Sequence, residues 1–377
     1  MRFINNLIIG AGPAGLAIAG RLRKANLEFE IIEQSDLIAS KWHHHYDRLH
    51  LHTIKEYSHL PYMPFPGHYA TYISKANLVE YYEAYAAKFD IKPIYRTTAE
   101  QITKSEGLWH VKSNAEIYTA KNLIIATGTN RIPNIPQWPG EQSFEGEILH
   151  ASQYKNASPY LNQNVLVVGM GNTGAEIALD LAENNVNVGI SIRSKQSIVP
   201  RDLFGRPIQK TALLLDKLPW DLGAHIGNLV RKLYFGDLTE YGIPVDTKPP
   251  IKLLRETGKT PTIDLGTIAQ IKAGKISMHG DISHFQNKKV NFKDGKSMRI
   301  DTVVLATGYF SKLDELLPEH SDIFNPKGEP IDKIGEGENS GIYFIGFDNY
   351  KTGGILGTLR DDSRKIAEKI DKDRLTN

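Results

Sequence analysis

Two stretches of this chain carry the same punctuation. Leu7-Ile8-Ile9-Gly10-Ala11-Gly12-Pro13-Ala14-Gly15 and Val165-Leu166-Val167-Val168-Gly169-Met170-Gly171-Asn172-Thr173-Gly174 each run an apolar strand into a G-x-G-x-x-G turn that opens a helical pattern. A chain built this way is committed to two βαβ units, hence to an α/β fold of two dinucleotide-binding, Rossmann-like domains. In such a turn the first glycine takes the tight bend, the second lets the backbone approach a pyrophosphate, and the third lets the helix lie against its strand. The positive end of the helix then faces the phosphates. With 377 residues, the chain has the length for two or three lobes.

The two units differ where their second strands end. In the first, Phe29 to Glu33 reads as a strand, and Glu33 places a carboxylate where it can accept from ribose hydroxyls. A 2′-phosphate would be repelled there, so this site suits FAD or NAD. In the second, Ser191-Ile192 runs into Arg193-Ser194-Lys195 with no carboxylate. Arg193 can hold a 2′-phosphate bidentately, with Ser194 and Lys195 adding a donor and a charge, so NADPH is expected; a solvated basic turn is the alternative. One phosphate-free and one phosphorylated cofactor describe a hydride relay from NADPH to a bound flavin.

Composition narrows the chemistry. Cysteine is absent, which removes disulfides, thiolate metal sites and the flavoenzymes that pass electrons through a dithiol pair. A net charge of +2 sets up no field that implies a nucleic-acid or anionic-membrane partner. Ala17-Ile18-Ala19 imitates a signal-peptidase site, but cleavage there would destroy the first turn, and no run has the length needed to span a bilayer. A cytoplasmic location is expected.

Between the units the rhythm breaks over residues 36 to 75, where His, Tyr, Pro and Gly abound; such an excursion suits a cofactor cover. Helical spacing returns from Lys75 to Phe89, with Tyr81, Tyr82 and Tyr85 expected to pack inward. Ala126-Thr127-Gly128 and Ala306-Thr307-Gly308 each follow an apolar strand and mark passages between domains; taken alone they are generic. Residues 200 to 265 read as partly helical, and a last strand, Ile342 to Ile345, leads to a closing helix near Asp361 to Asp371. The run His43-His44-His45 has no accompanying carboxylate cluster, so a loop cap over the flavin is expected there and no metal site.

The stretch Phe144-Glu145-Gly146-Glu147-Ile148-Leu149-His150-Ala151-Ser152-Gln153-Tyr154 lies just before the second unit. It resembles the F-x-G-x-x-x-H-x-x-x-[FY] fingerprint of class B flavin-containing monooxygenases. Tyr46-Asp47-Arg48-Leu49-His50-Leu51-His52, Leu60-Pro61-Tyr62-Met63-Pro64-Phe65-Pro66 and Leu305-Ala306-Thr307-Gly308-Tyr309 are similar to the YUCCA-type branch of that family. The resemblance implies an FAD domain in two parts, 1–158 and 309–377, with an NADPH domain, 159–308, inserted. It further implies flavin contacts at Gln34, Lys41, Trp42, His52, Thr53 and Gln101, and at Tyr309, Gly346 and Leu356. His150 and Tyr154 are expected to shape the linker near NADP, and Arg201 to touch a cofactor phosphate or a substrate carboxylate. Many members carry an Asn before the Lys75 helix; Thr71 stands in its place here, and Thr71 and Tyr72 are the expected residues beside the reacting centre.

By the same resemblance, NADPH reduces the flavin, O2 adds to give a flavin C4a-hydroperoxide, and a small substrate is oxygenated at nitrogen, sulfur, a ketone carbonyl or a 2-oxo acid. The alternatives are an NADPH oxidase or flavin reductase that releases H2O2, separated only by the linker fingerprint, and a non-catalytic redox sensor. Expected partners are the substrate and O2, with a homodimer allowed by the sequence.

Overall fold

The structure is a computed structural model that describes residues 2–215, 222–351 and 353–376. Its first sheet orders the strands Glu30–Ile32, Arg2–Ile9, Ile117–Ile125, Leu108–Ser113 and Ala99–Ser105. The first three are parallel, as a βαβ unit requires; the helix Pro13–Lys24 makes the crossover. Ile117–Ile125 shares its far flank between two partners. Leu108–Ser113 pairs antiparallel with its first half and Ile342–Phe344 parallel with its second. The chain therefore returns to its first sheet after building a second.

That second sheet is wholly parallel, in the order Ile276–His279, Asn187–Ser191, Asn164–Val168, Thr302–Leu305 and Glu147–His150. Its central strands, Asn164–Val168 and Thr302–Leu305, read as nearly continuous apolar runs because both faces are covered. Glu147–His150, which the expected boundary at 158 assigns to the first domain, pairs here with Thr302–Leu305. The two connections run side by side, Ile132–Pro133 antiparallel to Tyr309–Phe310.

Each sheet has an apolar layer on either face. Tyr81, Tyr82 and Tyr85 of the helix Lys75–Lys88 are fully buried against the first unit's helix, as their spacing predicts. Tyr46 and Leu49 leave the 36–75 excursion to enter the core of the second unit. The hairpin Ala99–Ser105/Leu108–Ser113 leaves no mark in the apolar pattern; Glu106 and Gly107, both at positive φ (51° and 78°), make its turn. The segment 200–265 holds the helices Ile208–Leu215, Leu222–Phe235 and Pro250–Thr257; residues 216–221 lie outside the described residues. The closing helix runs from Ile355 to Thr376, longer than expected because it starts directly after Gly353-Gly354.

Candidate functional site

The two glycine turns are built on the same three contacts. Gly10 and Gly169 sit at φ +105° and +102°, and a Cβ on either would come within 2.7 Å of the carbonyl oxygen of Ala126 or Ala306. A Cβ on Gly15 would stand 1.9 Å from the Gly10 oxygen, and one on Gly174 would stand 2.1 Å from the Gly169 oxygen. On Gly12 and Gly171 a Cβ would meet nothing within 4 Å. The Ala-Thr-Gly turns, generic in the sequence, are thus the surfaces on which the first glycines rest. Each helix that follows, Pro13–Lys24 and Asn172–Glu183, starts without a side-chain cap or an acidic residue in its first turn. Its leading N–H groups remain available to an anion.

Glu33 is half-buried at the end of its strand. Its Oε2 accepts from the Ala11 N–H at 2.8 Å, and Oε1 from the N–H and hydroxyl of Ser35 at 2.9 and 2.8 Å. The carboxylate holds the glycine turn in shape. In the second unit, strand register puts the buried Ile192 at the corresponding position. Arg193, Ser194 and Lys195 follow it, all exposed, and no carboxylate lies within ion-pair reach of Arg193 or Lys195 among the described residues.

A cavity of about 650 Å3 touches both units. Gly10, Gly12, Pro13, Ala14, Glu33 and Gln34 line one end, with Ala126, Thr127 and Gly128 beside them. Lys41, Trp42, His45, His52 and Thr53 come from the excursion, and Gly346 and Leu356 from the last segment. Asn172, Thr260 and Pro261 bring in the second unit. Beyond them lies an apolar lobe of Val199, Ile208, Ala212, Leu215, Ala224, Ile251 and Leu254, residues that come from the partly helical segment and its approach. Thr127 Oγ1 is buried without a partner at the cavity wall. The first turn of the long helix Ile355–Thr376 also lines the cavity, presenting a positive helix end.

Where the units meet, the excursion grips one face of the helix Asn172–Glu183. Arg48 reaches Glu183 at 2.8 Å and Asp180 at 3.6 Å, and His52 Nε2 bonds Glu176 Oε1. Burial is the main reason His45 is pushed down to about 4; the cations of Lys155, Lys75 and Lys41 act the same way against an opposing pull from Glu176. Tyr46 is driven well up from the ordinary phenol range by burial first and Glu176 second.

Several expected site residues stand elsewhere. Thr71 and Tyr72 line a separate surface pocket with Arg201 and Asp202, where the Tyr72 hydroxyl donates to Asp202 at 2.6 Å and the Arg201 guanidinium covers the ring at 4.5 Å. Arg201 is further held by Asp202 at 3.0 Å. Gln101 is exposed on the edge strand Ala99–Ser105. Tyr154 is fully buried, stacked on Tyr160, and donates to Asp180 at 2.6 Å. His150 donates from Nε2 to the Gly308 carbonyl at 3.1 Å and accepts the Ser152 N–H at Nδ1, with the Tyr309 ring at its edge. These two fingerprint residues secure the linker to the second sheet. Asn172 is occupied as well, its Oδ1 accepting from the Ile263 N–H at 2.7 Å. Thr173 starts the same helix, and Thr307 Oγ1 donates to the Asn134 carbonyl. Sequence reasoning took His45 only as part of a loop over the flavin and missed Arg131, Gln209 and Gly354 on the cavity wall; among these, only Gly353-Gly354 ahead of a helix offered a local signal.

A profile of the pyridine nucleotide-disulphide oxidoreductase family matches residues 7–202. The indole-3-pyruvate monooxygenase YUCCA1 of Oryza sativa subsp. japonica is 38% identical over 372 residues, covering 97% of this chain and 90% of that protein. The chain belongs to the YUCCA-type flavin-containing monooxygenases. It is an FAD- and NADPH-dependent monooxygenase that oxygenates a small substrate with O2. Among solved structures, a flavin-containing monooxygenase from Stenotrophomonas maltophilia superimposes with a TM-score of 0.75 at 18% identity, covering 99% of each chain. The bacillithiol disulfide reductase of Bacillus cereus gives 0.72 at 20% identity, covering 99% of this chain and 100% of that one. Those likenesses show the fold. With no cysteine in this monooxygenase, dithiol chemistry is not among the uses to which the fold is put. No helix among the described residues is long and apolar enough to cross a membrane.

Proposed function

We propose that this monooxygenase acts on an aromatic or apolar 2-oxo acid. Oxygen enters at the 2-oxo carbon, the bond to the carboxyl carbon breaks, and the products are the acid one carbon shorter, CO2, NADP+ and H2O, with NADPH, O2 and one proton consumed. The observation that carries the reading is the single cavity that touches both glycine turns and continues into an apolar lobe. Its lining cations are Lys41, Arg131 and Lys351, the last paired with Asp348, against one lining carboxylate, Glu33, a balance that favours anionic ligands. The indole-3-pyruvate substrate named for the rice relative has that chemistry: an aromatic body and a carboxylate.

The first turn fits FAD. An unpartnered Thr127 hydroxyl, uncapped helix N–H groups and an open Gly12 are what a resident dinucleotide would complete. Gly10 and Gly15 shape that turn, and Glu33 would accept from the ribose hydroxyls. When bound, FAD supplies the redox centre that accepts the hydride and activates O2. The second turn, with Gly171 open and Arg193, Ser194 and Lys195 exposed, would hold NADPH. Gly169 and Gly174 serve its backbone alone. Trp42, Thr53, Gly346 and Leu356 wall the cavity and would limit the access of water to a bound flavin. Catalytic contacts at Thr71 and Tyr72 draw no support from their separate pocket. Domain limits are better drawn where the connections cross, at Ile132–Pro133 and Tyr309–Phe310, than at residue 158. A reducing, NADPH-supplied cytoplasm suits a cysteine-free chain.

The test is turnover of the FAD-loaded protein with indole-3-pyruvate, phenylpyruvate and methyl phenyl sulfide in parallel. Formation of the arylacetic acid and CO2 in step with NADPH use is expected for the oxo acids. Sulfoxide from the sulfide with no acid from either oxo acid would sink the reading, as would H2O2 equal to the NADPH consumed.

A further inference from the structure

Glu176 is 2% exposed, at the inner end of the helix face that also carries Asp180 and Glu183. Four residues of the excursion or linker meet that face: Arg48 at the exposed end, Tyr154 at Asp180, and His52 and Tyr46 at Glu176. A clamp alone would be best served by arginine, which never loses its charge. The position that touches the cavity instead carries a histidine.

The geometry of that pair fixes where a proton sits. Glu176 Oε1 accepts from His52 Nε2, while Oε2 is buried with no partner. His52 Nδ1 has no protein partner among the described residues, and the ring lines the cavity with its side chain 15% exposed. A neutral ring with its hydrogen fixed on Nε2 offers a lone pair at Nδ1; the charged ring offers an N–H there, with the buried carboxylate opposite. The other groups facing this pair cannot take its place. His45, also on the cavity wall, is held neutral by burial, and the Tyr46 phenol is held protonated beside Glu176. Lys41, Lys75 and Lys155 place positive charge around His45, Arg48 does so near Tyr46, and Tyr309 approaches Tyr46 from the second connection.

We infer that His52, oriented by Glu176, is the group that supplies the cavity with the proton consumed in each turnover. Whether oxygen reaches a substrate or leaves as H2O2, the sum takes one proton with each NADPH: NADPH, H+ and O2 give NADP+ and H2O2, or, with substrate, NADP+, oxygenated product and H2O. The proton leaves from Nδ1, the Nε2–H bond to Glu176 persists, and solvent water reloads Nδ1. Glu176 is a positioning residue in this scheme. The inference rests on the monooxygenase assignment and not on the 2-oxo acid.

Two measurements test it without a substrate. In the cofactor-free protein, nitrogen-15 shifts of the His52 ring report which nitrogen carries hydrogen. For the neutral ring Nε2–H alone is expected, with hydrogen on both nitrogens once Nδ1 is loaded, and Glu176→Gln, whose amide can accept or donate, should admit both neutral tautomers. In the FAD-loaded protein, the rate of NADPH consumption with O2 is followed against pH. The wild-type rate should fall as pH rises. His52→Gln keeps a donor to Glu176 and should retain FAD, yet turn over at least about tenfold more slowly near neutrality, with that limb gone. Arg48→Ala, which loosens the same helix face at its exposed end, should keep the limb. An Nδ1–H tautomer in the wild type, or an unchanged pH profile in His52→Gln, would overturn the inference.

Discussion

Thr127 Oγ1 is buried without a partner, whereas its counterpart Thr307 Oγ1 bonds the Asn134 carbonyl of the first connection. The same contrast runs through both units. At the first turn, the strand ends on an acid folded back onto the Ala11 N–H; at the second it ends on buried Ile192 and an exposed basic run. The second turn is buttressed by the connection: Asn134 donates from its N–H to the Gly308 carbonyl at 3.0 Å and from Nδ2 to the Thr307 carbonyl at 3.2 Å. A buried polar group left unpaired costs about 1–3 kcal/mol, so an orphan is tolerable where a ligand stays to satisfy it. A ligand that must come and go requires a turn that is satisfied without it. The two sites are alike in backbone and unlike in their polar partners, a difference that suits the proposed FAD as a resident and NADPH as a visitor.

The largest effects should come from the third glycines. Gly15→Ala and Gly174→Ala push a methyl against a carbonyl oxygen at 1.9 and 2.1 Å, and each should cost at least about 3 kcal/mol on thermal unfolding. If the units are separate in occupancy, Gly15→Ala releases FAD while Gly174→Ala retains it and loses NADPH. Release of FAD by both would mean that the turns fail together.

The seam between the units has its own dependence on pH. His45 falls from an ordinary 6.5 to about 4 on folding, so the unfolded chain binds the extra proton between those values. Its contribution is present above pH 6.5, is lost as pH falls towards 4, and amounts to roughly 3 kcal/mol when fully lost. His45→Gln should flatten that part of the melting curve against pH. An equal acid loss in the variant would place the effect on other groups.

Arg193→Ala should weaken NADPH binding by about ten- to a hundredfold, leaving NADH binding and FAD retention unchanged. Equal losses for NADH and NADPH would show that Arg193 does not read the 2′-phosphate. The smallest effects sharpen the comparison most directly. Thr307→Ala removes a satisfied hydrogen bond and should lower the stability of the cofactor-free protein by about 1 kcal/mol. Thr127→Ala removes an orphan, so it should leave the cofactor-free protein unchanged or slightly steadier while weakening its hold on FAD.

Much of this site is legible in the sequence, because glycine spacing encodes local geometry. The roles assigned to Gly10, Gly12 and Gly15 match the contacts that a Cβ would make at each. The closed Glu33 and open Arg193 ends follow from strand length and side-chain charge. His150 and Tyr154 are legible as a motif but not as a role; the structure turns both inward, to Gly308 and Asp180, as fasteners of the linker. Resemblance places Thr71 and Tyr72 beside the reacting centre, and the fold instead puts them around the corner with Arg201.

By itself, then, the sequence determined the two βαβ units, their three-glycine turns and the acid or basic run that ends each second strand, since each is set by neighbours a few residues apart. Only the tertiary structure decided that Ile342–Phe344 rejoins the first sheet, that residues of the 199–254 stretch wall one shared cavity, and that His52 meets Glu176 across 124 positions of chain. Those contacts form where separate apolar faces are buried together, and no local pattern records which distant face will supply the partner.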